Sequence, residues 1–274
     1  MHTSLPANGR FELLPQLCGF LAWQAIVDNP FFVFAASFLG LLFAAKAGAA
    51  LSTRLRSMAG ERQDVNVVLT ATVTFLALII GFSFSMAVSH YDQRKQYEEG
   101  EASAIGTEYS RASLLPAADA AQIRETLLLY LDERIRFYET RDALQLQQIA
   151  ASTSRLESEL WSAASGAGEK SSSPVTALSV SGMNDVVTSE GHTRAAWSNR
   201  LPLVAWALMA VIALYSNFLF GLGSHHSRLF VFVLLPFAVS IAFFLIADID
   251  NPRRGLIRVP PQNLLSLSES LRSQ

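Results

Sequence analysis

The sequence predicts an all-α, polytopic membrane protein with four transmembrane helices and a helical body inserted between the second and third. Three observations predict it. Hydrophobic residues make up 51% of the 274-residue chain and charged ones only 16%, against about a quarter charged in an ordinary soluble domain. Four apolar runs, 31–50, 65–88, 201–222 and 229–247, have the length of about 20 residues that a helix needs to cross hydrocarbon. Between the second and third runs, apolar residues return at three- and four-residue spacing in a charged background, as amphipathic helices require.

The elements follow in chain order. Residues 1–30 form an N-terminal segment whose apolar stretch, Phe11–Val27, is interrupted by Glu12, Pro15, Gln16 and Gln24. This pattern predicts an interfacial amphipathic helix, with a fifth crossing as the alternative. Asn29-Pro30 separates it from the first span. Residues 31–89 hold transmembrane helices 1 and 2. The second begins with 24 uncharged residues, VNVVLTATVTFLALIIGFSFSMAV, and enters SHYDQRKQYEEGEASAIG without a proline or a glycine pair. One helix is therefore expected to leave the membrane without a break.

Residues 90–199 form the insert, expected to be cytosolic. Its core stretch, 90–198, carries ten Lys/Arg and sixteen Asp/Glu, a net charge of −6. Ile123, Leu127, Leu131, Ile135 and Tyr138 share one helical face. Pro116 marks the start of that helix, and Asp119 sits where the helix dipole favours negative charge. A second helix is expected over Ala143–Ala164 and a third over Val175–Asn199, with GAGEKSSSP (166–174) as a loop between them. These stripes are read as too few to enclose a large core. They would pack on extensions of the membrane helices or on neighbouring subunits. Residues 200–248 hold transmembrane helices 3 and 4, the last containing Pro236, and 249–274 form a cytosolic C-terminal tail. Asp248 and Asp250 are costly inside hydrocarbon and so mark a membrane edge. Pro252 ends the helix, and Arg253 and Arg254 can pair with the aspartates or with lipid phosphates.

With four spans, both termini and the insert share one side. Near the membrane boundaries that side carries eight basic residues and the other four (Arg54, Arg56, Arg62 and Arg228). The positive-inside rule then places both termini in the cytoplasm of a cell with this protein in its inner membrane.

Several chemistries find no support. The chain has no phosphate-cradling glycine loop, nucleophile elbow or paired-histidine zinc helix. None of the five histidines forms a Glu-x-x-His pair, and His225-His226 reads as a surface turn. Cys18 has no partner for an intrachain disulfide. The net charge of −2 offers no basic face to nucleic acid. The expectation is a non-enzyme without cofactor or metal. Glu98, Glu99, Glu101 and Glu108 read as a solvated or salt-bridged face, with Arg111 placed to pair with Glu108.

The second span carries the candidate site. Ala77, Gly81 and Ser85 recur every four residues as a small stripe that lets another helix approach closely. The adjacent face carries Thr74, Leu78 and Phe82. Repeated around a ring of subunits, that face would form a polar entrance and a hydrophobic constriction. Packing within one chain is the plainer alternative.

The segments GFSFSMAVSHYDQR, EASAIGTEYSRASLLP, ALSVSGMNDVVTSEGHTRAAWSNRLP and IADIDNPRRGLIRV resemble those of the bacterial bestrophin-like domain membrane proteins, over roughly residues 35–270. More distantly, the layout is similar to bestrophins, which are pentameric anion channels. That resemblance implies a homo-oligomeric ring, a pentamer by analogy, conducting small anions along an axis lined by the second membrane helix. Gly81-Phe82 resembles the Gly-Phe of the bestrophin neck, which makes Leu78 and Phe82 neck candidates and puts Thr74 one turn along. Eukaryotic bestrophins carry an acidic calcium clasp after an Asn-Pro. Here Asn251-Pro252 leads into Arg253-Arg254-Gly255, so no such clasp is implied. The alternative function is a non-conducting scaffold or sensor whose cytosolic helices bind a partner protein through the Ile123/Leu127/Leu131/Ile135 face. An enzyme or transporter would need ionisable groups at membrane depth, which the spans lack.

Overall fold

A computed structural model describes residues 29–54, 62–170, 173–223 and 229–273, and every regular element among them is helical. The proposed interfacial helix at 11–27, Cys18 and the His225-His226 turn lie outside the described residues. The helices are α1 (Pro30–Arg54), α2 (Arg62–Ala112), α3 (Ala117–Glu139), α4 (Ala143–Lys170), α5 (Pro174–Ser198), α6 (Leu203–Gly223), α7 (Leu229–Asp250) and α8 (Gln262–Arg272). Among the described residues, four stretches are long and apolar enough to cross a membrane: Pro30–Ser52, Val65–Ala112, Pro174–Gly223 and Phe232–Asp250. The chain forms two compact units, one of residues up to Ala87 with Leu201–Leu256, the other of Val88–Arg200 with Ile257 onward. The boundary falls inside α2, which runs through it as one 51-residue helix.

In the first unit, α1 packs on α6 and α7. Asn29 caps α1, its Oδ1 accepting the N–H groups of Phe31 (3.2 Å) and Phe32 (3.3 Å), with Pro30 at the first helical position. The junction with α6 is set by glycine. A Cβ on Gly48 would collide with the carbonyl oxygen of Phe218, and one on Gly221 with that of Ala45. Two backbones meet there without side chains between them, as small residues in membrane helices allow. On the α7 side the contact is aromatic: Phe31 lies 5.3 Å from Phe244, and Phe34 and Phe38 lie 6.0 and 6.1 Å from Phe237, ring centre to ring centre. At the end of α7 the carboxylates serve the backbone. Both oxygens of Asp250 accept the N–H of Leu201 at 3.1 Å, and Asp248 accepts that of Leu256 at 2.6 Å. Asn251 Oδ1 accepts the N–H groups of Arg253 and Arg254.

The second unit has its own core, larger than the stripes suggested. Ile105, Ile123, Leu127, Leu131, Leu160, Met183 and Val186 are fully buried at its centre. Trp197 completes an aromatic trio with Phe137 and Tyr138, at 5.1 and 5.3 Å. Five helical segments contribute, so each covers the apolar stripe of another. Helix α4 runs to Lys170 through residues expected to be a loop. Its buried row of Ile149, Thr153, Leu156, Leu160 and Ala164 keeps helical spacing and packs the helix as far as the start of that stretch. Ser173 then starts α5 with a capping box: its Oγ accepts Thr176 N–H at 3.2 Å, and its own N–H bonds Thr176 Oγ1 at 3.1 Å.

Candidate functional site

The membrane half of α2 is the part of the first unit its own chain covers least. Leu76, Ser83 and Ala87 are buried, while Leu78 is 52% and Phe82 66% exposed. Thr74 is exposed as well, and so are Ala77, Gly81 and Ser85 on the adjacent stripe. A Cβ at Gly81 would meet nothing within 4 Å. Neither the Thr74/Leu78/Phe82 face nor the Ala77/Gly81/Ser85 stripe is covered within one chain. The close backbone approach in this unit occurs instead at Gly48 and Gly221, which sequence reading did not single out. Gly48 lies four residues from Ala44, a spacing no more distinctive than that of many membrane positions, and Gly221 follows the larger Asn217 at the same interval.

Three threonines in the membrane half of α2 are internally bonded. Thr70 Oγ1 donates to the Asn66 carbonyl (2.9 Å), Thr72 to Val68 (2.7 Å) and Thr74 to Thr70 (2.8 Å). Each hydroxyl proton is thus held by the carbonyl one turn back, and the outward face of the oxygen offers lone pairs and a methyl group.

Beyond Val88 the same helix carries a buried polar seam. Arg94, Glu98, Glu101, Ile105, Glu108 and Ala112 are all buried, at the three- and four-residue spacing of a packed stripe. Of the two expectations for this acidic group, solvated or salt-bridged, the second holds for Glu101, paired with Arg134, and for Glu108, 4.0 Å from Arg111; the solvated one is corrected, since Glu99 alone of the four acids is exposed. The reason is that each buried acid meets a specific partner. Glu98 accepts the N–H groups of Asn263 (2.9 Å) and Leu264 (3.0 Å) and the Asn263 side-chain amide (2.6 Å), capping α8 from outside, where Pro261 offers no side-chain cap. Glu101 pairs with Arg134 and accepts the hydroxyls of Tyr138 (3.2 Å) and Thr193 (3.1 Å). Arg134 also approaches Glu190 at 3.6 Å and lies 4.5 Å over the Phe137 ring. Beside them Glu157 accepts the Tyr130 hydroxyl at 3.4 Å. Burial, and then the nearby Glu190, push its carboxyl up to about 6. Glu108 accepts the Ser179 hydroxyl at 2.5 Å. Arg94 donates to the carbonyls of Ala196 in the last turn of α5 (3.2 Å) and of its C-cap Asn199 (3.0 Å). The order 94 with 196, 101 with 193 and 108 with 179 shows α5 running antiparallel to α2. The sequence signal for this seam was the shared spacing of acids with Ile105 and Ala112; their hydrogen-bond partners lie from 33 to 166 residues away, beyond any local pattern.

The face proposed for a partner protein is occupied. Ile123, Leu127 and Leu131 have no exposed surface, and Ile135 packs against the same core. No group of three or more metal-binding side chains occurs among the described residues.

Fold and helices define a multi-pass, all-α membrane protein. Residues 32–264 match the model of the bestrophin-like domain, and the chain belongs to that family. Among solved structures, a bacterial bestrophin homologue from Klebsiella pneumoniae bearing a point mutation is similar over 89% of this chain and 97% of its own, at 15% identity and a TM-score of 0.62. A crystal structure described only as a membrane protein matches over the same shares at 14% identity and a TM-score of 0.64. No curated protein matches the chain.

Proposed function

We propose that the protein is a homo-oligomeric ion channel in which the membrane half of α2 lines the axis of a ring, five-membered by analogy with bestrophins. The observation that carries this reading is the uncovered state of α2. Helices α1, α6 and α7 bury residues against one another, whereas α2 leaves two adjacent faces open. In a ring, copies would cover the Ala77/Gly81/Ser85 stripe, and Thr74, Leu78 and Phe82 would face the axis as a wet mouth above an apolar constriction. Family membership supports the channel over the scaffold, and burial of the Ile123 face removes the scaffold's motive.

Anion conduction is what the bestrophin likeness suggests. The threonine geometry favours a second reading of charge preference, because hydroxyls whose protons are held by carbonyls offer an ion lone pairs, which suit cations. Purified protein in planar bilayers tests both. Leu78→Ala and Phe82→Ala should each raise unitary conductance, and silence of the wild type and both variants would overturn the channel. In a sodium chloride gradient, a reversal potential on the chloride side supports anions, and one on the sodium side supports the lone-pair reading.

The helical body and both termini would be cytoplasmic, in an inner membrane, as the distribution of basic residues suggests. The annular partners would then be bilayer lipids and further copies of the chain.

A further inference from the structure

Glu108 belongs to the second unit, about five turns of helix beyond the apolar run of α2. Its side chain is wholly buried. One oxygen accepts the Ser179 hydroxyl of α5 at 2.5 Å, and the other, Oε2, has no hydrogen-bond partner. Oε2 is aimed at Gly182 of α5, so close that a Cβ there would collide with it. The groups facing the carboxyl are Arg111 on its own helix and Ser179 and Asp185 on α5. Arg111 stands off at 4.0 Å and is shared with Asp185, also at 4.0 Å.

A buried carboxylate with one hydroxyl donor and a distant, divided cation is poorly solvated when charged, and the neutral acid is favoured. We propose that Glu108 is a proton-binding site of the helical body, and that loss of its proton loosens the contact between α2 and α5 at Gly182. Burial pushes its carboxyl up to about 7, against the lowering effects of Ser179 and Arg111, while Asp185 adds to the rise. Both forms therefore exist at physiological pH. The folded-state value lies above the ordinary 4.5, so the stability this group contributes is complete below about 4.5 and is lost as pH rises through about 7. The site stands independently of whether the protein conducts.

Infrared titration of the full chain in detergent reads the proton directly, through the carbonyl band of protonated carboxyls. A Glu157→Gln background removes the other carboxyl raised among the described residues. The expected band disappears with a midpoint near 7 and is missing after Glu108→Gln, an isosteric change compatible with folding. Ser179→Ala and Arg111→Gln should move the midpoint up, and Asp185→Asn should move it down. A band that survives Glu108→Gln, or a midpoint in the ordinary carboxylate range, overturns the site. Amide exchange around Gly182, taken as the ratio of wild type to Glu108→Gln at each pH, should rise as pH passes 7. A ratio independent of pH overturns the loosening.

Discussion

At the residue scale, the buried Arg134–Glu101 pair and the glycines of the α1–α6 crossing decide most. Removing one member of a buried, hydrogen-bonded ion pair strands the other charge, a loss of about 3–5 kcal/mol. Arg134→Met should therefore lower the thermal midpoint sharply in detergent, and Glu101→Gln less so, because the glutamine still accepts from Tyr138 and Thr193. At the crossing, Gly221→Val forces apart two backbones already in contact. Overpacking of this kind costs about 1–3 kcal/mol, and cysteine pairs placed across α1 and α6 should cross-link more slowly. Glu157 predicts a pH effect. Its carboxyl is raised from 4.5 to about 6, so the stability it contributes is full below 4.5 and declines as pH rises through 6. Thermal midpoints of Glu157→Gln should show a flatter slope across that window than wild type.

At the element scale, α8 is held by a cap from another helix. An 11-residue helix is marginal alone, and its first N–H groups are satisfied by Glu98 on α2. Hydrogen bonds to a charged group contribute about 1.5–3 kcal/mol. Glu98→Ala should speed amide exchange over Leu264–Leu271 by tenfold or more, with the core helix α3 unaffected. An unchanged rate would show that the packing of Leu264, Leu267 and Leu271 and the Arg272–Asp132 pair hold the helix without the cap. Helix α2 itself shows two chemistries: an apolar half that its own chain leaves largely uncovered, and a half whose buried acids and arginine meet partners on α3, α5 and α8, Glu108 Oε2 excepted.

At the scale of the whole molecule, the prediction is an assembly. A single copy leaves Phe75, Leu78 and Phe82 exposed on one side of α2 and Phe84 on another, apolar surface that lipid or further copies must meet. An image down the symmetry axis of the detergent-purified particle should show a ring with α2 innermost; a monomer, or a ring with α2 at the rim, would overturn the pore assignment. A fluorescent reporter fused after residue 274 should be active in the cytoplasm, whereas a reporter that works only after export would reverse the orientation.

By itself the sequence determined the helical class, the four spans, the unbroken passage of α2 beyond its apolar run and the restart of helix after Pro116, because length, period and proline act locally. It also carried the family likeness in four short segments. Only tertiary structure decided what each face meets. The acids from Glu98 to Glu108 look the same on a helical wheel whether solvated or buried. Their burial depends on Arg134, Ser179, Thr193 and Asn263, which the fold brings from distant positions. The same holds for Gly48 and Gly221, whose role exists only because two backbones cross there, and for the Ile123 face, which the second unit's own helices close over. The Thr74/Leu78/Phe82 face was legible as a pattern, and only the tertiary structure showed that one chain leaves it uncovered, because no helix of the first unit packs over it.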